Sequence, residues 1–338
     1  MPFVELVFGN QRVGPKDKAF GELTVLSMST GLEIKIPFAV ITGKLPGPVL
    51  YIGAGSHGDE ISSILVATRL GRVMGPDDID KGALLIVPMH NPLAIINKKR
   101  QGFIDLLDMN RVWPGDPDGN ISEIIAYRIF EELVKKSNYL IDLHTASSDG
   151  ENVPHGFCPS EEVSRGVYTV CVEMARYFGM RFIVVGKLNP ERRKYYEYLA
   201  GELHIAASRC GIPGIVIELG EGGRVTNSLV EAGISGVQNT AKYLGILKGE
   251  PIAYPSPLII SQGMRSLRAP FGGIVTSQVF VGQEVNEGDV VAVLESPWTI
   301  REIKTPVSGY IFRLRHYAVV EPGERIAVIA PRLVTSSG

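Results

Sequence analysis

The sequence predicts an α/β protein built on a mixed, mostly parallel sheet with helices on both faces, followed by a small all-β domain. From about residue 47 to residue 246, continuous apolar runs alternate with segments of helical periodicity, which is the pattern of consecutive βαβ units. After a proline-rich linker at 249–257, the chain changes to short strand-like runs with regular glycines and almost no helical pattern. These two observations predict a first domain over 1–250 and a second over 258–335.

The elements of the first domain are predicted as follows. Residues 1–45 alternate between polar and apolar positions, which predicts an antiparallel edge of the sheet. Continuous apolar runs predict buried strands, which lie at 48–52, 83–88, 139–143, 182–185 and 214–219. Helical periodicity predicts five helices, which lie at about 60–74, 122–136, 160–178, 193–209 and 226–246. Ser122 is the predicted N-cap of the second helix. Residues 89–120 and 146–157 are predicted as loops, and the first is long enough to be functional.

The second domain contains a weak internal repeat, in which residues 273–288 are echoed by residues 309–323. Each half is predicted to form strand, turn, strand, turn, strand, and the whole resembles the barrel-sandwich of biotinyl/lipoyl-type domains. Such domains carry a modified Lys at a hairpin tip. The corresponding turn here, 295–298, has no Lys, and Lys304 lies further on in a predicted strand. We therefore expect a domain that is neither lipoylated nor biotinylated and that serves packing, active-site shaping or oligomer contacts.

The composition is that of an ordinary globular enzyme, with 45% hydrophobic and 21% charged residues in 338. The formal net charge of -2 argues against nucleic acid or a membrane surface as a partner. The three cysteines are widely spaced and suggest neither a thiol pair nor a structural zinc site. Because the N-terminus has no signal-peptide pattern and no apolar run is long enough to span a bilayer, we expect a cytoplasmic protein.

Ionisable side chains follow three of the predicted strands. His57 and Glu60 come directly after the strand at 48–52, His144 ends the strand at 139–143, and Glu218 lies at the end of another. The carboxyl ends of the strands are where an open α/β sheet binds ligands. Two His and one Glu are a known ligand set of catalytic zinc, and they leave a fourth position for water. The sequence therefore predicts one Zn²⁺ held by His57, Glu60 and His144, with Glu218 as the general base.

Each of these residues also has a purely structural explanation. A His-x-x-Glu pair alone is a weak signal, His144 could be a hydrogen-bonded His at a strand end, and Glu218 could be a paired structural carboxylate. An ionised carboxylate in an apolar strand is unfavourable without a partner. The joint placement of all four residues at successive strand ends therefore favours the metal site.

The long loop at 89–120 supplies cations. Arg binds carboxylates bidentately and stabilises oxyanions. The alternative is an Arg that pairs with Asp105 or Asp108 and holds the loop. We expect Asn110 and Arg111 to face the substrate, and Arg100 to lie near the reacting centre.

Four motifs occur in an order that resembles the succinylglutamate desuccinylase/aspartoacylase family, which has a zinc-carboxypeptidase-like fold. They are Gly55-Ser56-His57-Gly58-Asp59-Glu60, Asp108-Met109-Asn110-Arg111-Val112-Trp113-Pro114-Gly115, Asp142-Leu143-His144-Thr145 and Ile217-Glu218-Leu219-Gly220. The resemblance covers about residues 45–245. The family hydrolyses the amide bond of N-acyl amino acids, and its members carry a small C-terminal β domain.

The resemblance also implies a role for each site residue. It implies that zinc is held by His57, Glu60 and His144 and that Glu218 is the general base and acid. It implies that Asn110 and Arg111 bind the carboxylate of the substrate. It also implies that Arg100 stabilises the oxyanion on the carbonyl oxygen.

One stretch departs from the family pattern. Many members carry an Arg-x-Asn-x-Pro-type stretch after the Asp-Leu-His-Thr motif, whose Arg binds a second carboxylate. Here Asn152 and Pro154 are present, but no Arg stands before Asn152. We expect Asn152 to contact the substrate. Because this Arg is missing, we expect a neutral acyl group such as acetyl at least as much as a succinyl or aspartyl group.

The leading hypothesis is a zinc-dependent amidohydrolase that deacylates a small N-acyl amino acid, so that its partner is a small molecule. Two alternatives are a metallocarboxypeptidase acting on peptides and a non-catalytic zinc- or ligand-binding protein. The second is disfavoured because all three ligands and Glu218 are present. The sequence is also compatible with a homo-oligomer.

Overall fold

The structure is a computed structural model that describes residues 5–164, 166–186, 201–260 and 264–331. The helices are α1 (Ile61–Val73), α2 (Pro92–Asn97), α3 (Ile121–Glu132), α4 (Tyr168–Phe178), α5 (Leu203–Arg209) and α6 (Asn227–Tyr243). The strands are β1 (Leu6–Phe8), β2 (Gln11–Val13), β3 (Lys18–Ser27), β4 (Glu33–Thr42), β5 (Leu45–Ala54), β6 (Lys81–Val87), β7 (Tyr139–His144), β8 (Gly150–Asn152), β9 (His155–Pro159), β10 (Phe182–Gly186), β11 (Gly214–Glu218), β12 (Leu258–Ile260), β13 (Arg265–Arg268), β14 (Gly273–Ser277), β15 (Glu284–Val285), β16 (Val290–Ser296), β17 (Thr299–Lys304), β18 (Gly309–Arg315), β19 (Val319–Val320) and β20 (Arg325–Pro331).

A nine-stranded mixed sheet organises the chain, with its strands in the order β12-β10-β9-β11-β7-β5-β6-β4-β3. Strands β6, β5, β7 and β11 run parallel and form its centre. On one side β4 and β3 continue the sheet antiparallel, as the alternating N-terminal pattern predicts. On the other side β9 is antiparallel to β11, while β10 and β12 run parallel to β9. The carboxyl ends of β5, β7 and β11 therefore meet at one edge.

Helices cover both faces of this sheet. Side chains alternate between the two faces along each strand, so each central strand contributes to two apolar clusters. On one face Leu50 and Ile52 of β5 pack in a buried cluster with residues of α1, α4 and α6. On the other face Val49 and Tyr51 of the same strand pack with residues of α3 and α5. Burial on both faces is why the central strands are continuous apolar runs. Each such fully buried side chain contributes about 1.5–3 kcal/mol.

Helix α3 begins at a different cap from the predicted one. Asn120 is its N-cap and forms a capping box with Glu123. Ser122 instead lies within the helix, where its backbone N–H and its hydroxyl both donate to the carboxylate of Asp105. The prediction of Ser122 as N-cap was therefore wrong, and the residue ties the preceding loop to the helix.

Both predicted loops contain regular structure. The segment 89–120 includes α2 and a short 3-10 turn, and the segment 146–157 includes β8 and the start of β9. The predicted helix at 160–178 begins only at Tyr168. The predicted helix at 193–209 is described from Leu203 to Arg209, and its part at 193–200 lies outside the described residues.

The C-terminal region forms two antiparallel sheets around a buried apolar cluster. One contains β13, β20, β18 and β15, and the other contains β17, β16, β14 and β19, so each half of the internal repeat contributes to both sheets. Two strands cross the expected domain boundary. Strand β12, within the predicted second domain, pairs with β10 of the nine-stranded sheet. Strand β8, within the predicted first domain, pairs with β18. In the described part of the chain, no helix is long and apolar enough to cross a membrane.

Candidate active site

The turn between β5 and α1 places the first two candidate ligands. His57 and Glu60 lie between the end of β5 and the first residue of α1, and both are buried. Gly58 and Asp59 separate them, and a Cβ added at this glycine would overlap the backbone carbonyl of Ala94 in α2. The turn can therefore lie against α2 only with a glycine at this position.

His57, Glu60 and His144 converge on one point. The Nδ1 atom of His57 lies 2.6 Å from Oε1 of Glu60, and the Nδ1 atom of His144 lies 2.8 Å from Oε2 of the same carboxylate. His144 is the last residue of β7, which pairs directly with β5. One ligand atom from each residue lies within 4.8 Å of the other two. The structure thus brings together the three residues that the sequence predicted as ligands, in a group able to hold one metal ion.

Two further carboxylates hold the opposite edges of the two imidazole rings. Nε2 of His57 lies 3.0 Å from Oδ1 of Asp108, and Nε2 of His144 lies 2.9 Å from Oδ2 of Asp142. In metalloproteins a carboxylate on the outer ring nitrogen fixes the tautomer of a ligating His and raises its basicity. Both rings are therefore oriented with Nδ1 toward the centre. This arrangement fits a metal ligand set.

The electrostatics of the cluster favour an ionised carboxylate. Burial raises the pKa of Glu60, but attraction by His57 and His144 outweighs it, so this pKa lies well below its usual value. The pKa of Asp108 is likewise well below its usual value, because its bond to His57 and the charge of Arg100 outweigh its burial. Glu60 is therefore ionised at neutral pH, as a metal ligand must be.

Arg100 lies at the rim of this cluster. Its Nε and Nη2 atoms pair with Asp108 at 2.9 and 2.8 Å, as the loop-holding alternative predicted. Its Nη1 atom also reaches the centre, at 3.4 Å from Nδ1 of His57 and 3.9 Å from Oε1 of Glu60. The guanidinium therefore holds the loop and faces the cluster of candidate ligands at the same time.

Asn110 contacts the cluster at His144, and Arg111 follows it in the same short 3-10 turn. The Nδ2 atom of Asn110 is 3.5 Å from Nε2 of His144, and its Oδ1 accepts a bond from the backbone N–H of Leu203. Arg111 pairs through Nη1 with Glu202 at 3.1 Å. Burial raises the pKa of Glu202, and the charge of Arg111 opposes that rise. Glu202 is a site carboxylate that the sequence analysis did not single out.

Glu218 lies beside the cluster, because β11 pairs with β7 and sets Glu218 opposite His144 in register. Burial, together with repulsion from Glu60, raises its pKa to about 7. Nδ2 of Asn152 donates to Oε2 of Glu218 at 3.1 Å. The structure therefore places the predicted base at the cluster and places Asn152 directly on that base.

Comparison with known proteins gives the family. The model of the "Succinylglutamate desuccinylase/Aspartoacylase catalytic domain" matches residues 46–244, which is more than half of the chain. The chain belongs to the succinylglutamate desuccinylase/aspartoacylase family. The resemblance predicted from the four motifs is therefore confirmed.

Individual relatives of this family agree in fold. The chain is 28% identical over 309 residues to the N-alpha-acetyl-L-2,4-diaminobutyric acid deacetylase of Halomonas elongata, covering 88% of this chain and 86% of that protein. A succinylglutamate desuccinylase structure from Silicibacter sp. TM1040 has a TM-score of 0.83 at 23% identity and covers 98% of both chains. The product-bound ectoine utilization protein EutE (DoeB) from Ruegeria pomeroyi has a TM-score of 0.82 at 22% identity, covering 98% of this chain and 99% of that one. Two of these relatives bear the names of deacylases, a deacetylase and a desuccinylase, and the matched family model is that of a desuccinylase/aspartoacylase catalytic domain, which supports hydrolase activity here.

Besides Glu202, three residues around the site were not singled out for the roles the structure gives them. Asp108 and Asp142 each lie within a quoted motif, so their spacing from the ligands was a usable signal. Arg313 comes from β18 of the C-terminal region. Its Nη1 atom donates to Oδ1 of Asn152 at 3.0 Å, and its Nη2 atom pairs with Asp149 at 2.8 Å. The sequence near Asn152 gives no signal for this partner, which lies 161 residues away.

Proposed function

We propose that this protein is a zinc-dependent deacylase that hydrolyses the amide bond of a small N-acyl amino acid. The observation that carries the proposal is the convergence of His57, Glu60 and His144 within 4.8 Å, with Glu218 opposite His144 on the neighbouring strand. Two His and one Glu, with an outer carboxylate on each His, are the ligand chemistry of a catalytic zinc site. Membership of a deacylase family supports the same conclusion.

The proposed ligand atoms are Nδ1 of His57, a carboxylate oxygen of Glu60 and Nδ1 of His144. A bound zinc ion would supply Lewis-acid chemistry, polarising the scissile carbonyl and lowering the pKa of a water molecule to about 7. The outer carboxylates Asp108 and Asp142 keep the two rings oriented for this task.

The remaining steps belong to side chains of the protein. Glu218 takes a proton from the attacking water and returns it to the nitrogen of the leaving amine, which is general base and then general acid catalysis. Arg100 stabilises the oxyanion that develops on the carbonyl oxygen, since its Nη1 atom faces the cluster. Asn110 and Arg111 bind the carboxylate of the substrate, which replaces Glu202 on Arg111; burial raises the pKa of Glu202 and so weakens it as a counter-ion. Water attacks the carbonyl carbon, the carbon–nitrogen bond breaks, and a carboxylic acid and a free amine leave.

We propose that the acyl group is neutral, such as acetyl. Arg313 donates to Asn152, and the charge of its guanidinium is balanced by Asp149 at 2.8 Å. An anionic acyl tail would have to compete with Asp149 for this cation. The relative from Halomonas elongata bears the name of a deacetylase of a diamino acid, which supports the same substrate class.

The C-terminal region enters the proposal as an unmodified domain of the biotinyl/lipoyl barrel-sandwich type. Its support is the pair of antiparallel sheets that share both halves of the repeat. The hairpin between β16 and β17 turns at Pro297-Trp298, where no Lys is available for modification. In this proposal residues 1–250 carry the zinc hydrolase site, and residues 258–335 shape it.

A panel of substrates tests the proposal. The zinc-loaded protein is mixed with Nα-acetyl-2,4-diaminobutyrate, other acetyl-amino acids, succinyl- and formyl-amino acids and short peptides, and release of free amine is measured. Fastest turnover of an acetyl-amino acid supports the proposal. Preference for peptides would support a metallocarboxypeptidase instead, and no turnover of any compound would support a binding protein.

A further inference from the structure

The C-terminal region reaches the catalytic base through one short strand. Strand β8 lies in the segment after His144 and pairs with β18 rather than with the nine-stranded sheet. In this pairing Asn152 stands opposite Arg313, and Gly150 stands opposite Arg315. A side chain from residues 264–331 is thereby brought next to a residue that touches Glu218.

The chemistry of the two side chains fixes the orientation of the Asn152 amide. A guanidinium only donates hydrogen bonds, whereas an Asn side chain has one accepting oxygen and one donating nitrogen. Arg313 donates to Oδ1 of Asn152 at 3.0 Å, so the amide nitrogen must point away from it. That nitrogen donates to Oε2 of Glu218 at 3.1 Å.

This orientation is held in a confined place. Asn152 is buried, the Arg313 side chain is 21% exposed, and Asp149 holds the second Nη atom of the guanidinium at 2.8 Å. Without Arg313 the amide oxygen would lose its charged donor. A buried amide oxygen without a donor is unfavourable, so the side chain would turn toward water or a new donor and give up its bond to Glu218.

We propose that Arg313 is a positioning residue for the catalytic carboxylate: through Asn152 it fixes the rotamer of Glu218. Oε2 is held by Asn152, and Oε1 is left to exchange the proton with water and the leaving nitrogen. The role in turnover rests on the proposed deacylase function, whereas the side-chain geometry does not. The C-terminal region is then required for the chemical step as well as for packing.

The first test is the variant Arg313→Met, which keeps the aliphatic stem and removes the donors. We expect kcat to fall about 10- to 100-fold, because a small misplacement of a catalytic group has effects of this size, while KM stays within about twofold. The zinc content should equal that of the wild type. The matched control is Arg268→Met, which removes a cation from β13 of the same C-terminal sheet, where its Nη1 atom donates to the carbonyl of Gly323 at 2.7 Å. A control with the same kcat loss, or an Arg313→Met variant with wild-type kcat, overturns the proposal.

The second test asks whether Arg313 acts through Asn152. We expect the double variant Asn152→Ala/Arg313→Met to lose no more kcat than Asn152→Ala alone, because the guanidinium has nothing left to orient. Multiplicative losses would show an independent action of Arg313 and overturn the proposal. Asn152→Asp, which keeps an oxygen for Arg313 and puts another toward Glu218, should lose kcat as Arg313→Met does. Near-wild-type kcat in this variant would contradict the proposal, even if Arg313→Met fails to fold.

A crystal structure of the Arg313→Met protein separates this inference from the proposed function. We expect the Asn152 side chain to turn away from Glu218, so that the 3.1 Å contact is lost. An unchanged contact overturns the positioning role whatever the activity. A wild-type protein that cleaves no member of the substrate panel would refute the deacylase function and leave this structural readout intact.

Discussion

At the scale of single residues, the site depends on which nitrogen each imidazole turns inward. His57 and His144 both present Nδ1 to Glu60, since Asp108 and Asp142 hold the Nε2 atoms. The carboxylates behind the rings therefore set the ligand geometry before any metal binds.

The first prediction concerns Asp142→Asn. This change keeps the shape of the side chain but removes the charge that supports His144, so zinc affinity should fall about 10- to 100-fold. Competition with a chromophoric chelator measures it. Asp118→Asn, in the exposed loop before α3, is the control and should bind zinc as the wild type does. An unchanged zinc affinity in the Asp142 variant would show that the carboxylate does not support the ligand.

The second prediction concerns His155, whose ring lies buried 4.5 Å from that of Phe312. Burial lowers its pKa from 6.5 to about 4. Because protonation favours the unfolded chain, the stability that this neutral ring contributes is fully present above about pH 6.5 and is lost as the pH falls toward 4. The loss should reach about 3 kcal/mol by pH 4.

Urea unfolding at pH 7, 6 and 5 measures this slope. In His155→Phe the free energy of unfolding should fall less steeply with acid than in the wild type. The exposed residue Phe280 provides the control, since Phe280→Leu changes no titratable group and should keep the wild-type slope. Equal slopes for His155→Phe and the wild type would contradict the prediction.

At the scale of elements, the strand ends around the site were predictable and the contacts of the loops were not. The runs ending at Ala54, His144 and Glu218 are apolar because both faces are covered, so sequence alone indicated their ends. Helix α2 was missed, although Asn91 followed by Pro92 is a helix-start signal, because the helix has only 6 residues. Strand β8 has 3 residues, and its partner β18 is distant in the sequence, so no local periodicity predicts it.

The third prediction concerns the turn that carries the ligands. In Gly58→Ala the added methyl group would overlap the Ala94 carbonyl, so the turn must move away from α2. We expect the free energy of unfolding to fall by about 1–3 kcal/mol or more, because overpacking against backbone cannot relax by a rotamer change. We also expect weaker metal binding. Thermal unfolding and zinc titration measure both effects. Gly14→Ala, where the added methyl group meets open space, should change neither; a Gly58→Ala protein as stable as this control would contradict the account.

At the scale of the whole molecule, the two regions are joined by exchanged strands and a common apolar cluster. Strand β12 extends the nine-stranded sheet, β8 extends a C-terminal sheet, and Phe182 packs with Phe312 and Val328 between them. An interface of this kind differs from the polar contacts of independently moving domains.

The fourth prediction follows from these shared elements. The protein should unfold in a single cooperative calorimetric transition, because neither region keeps its full sheet when the other unfolds. Phe312→Ala should lower the midpoint of that one transition, with a loss of about 3–5 kcal/mol. Two separate transitions, with only the second moved by the substitution, would show independent domains.

The central claim is that the ligand cluster and Glu218 together form a zinc-dependent deacylase site. Its most direct test measures the zinc content of the purified protein and amine release from Nα-acetyl-2,4-diaminobutyrate, for the wild type and for Glu218→Gln. We predict about one zinc per chain in both proteins, wild-type activity that is lost on chelation and restored by zinc, and turnover reduced about 10²- to 10⁴-fold in Glu218→Gln. Far less than one zinc per chain with activity untouched by chelation, or near-wild-type turnover by Glu218→Gln, would contradict the account.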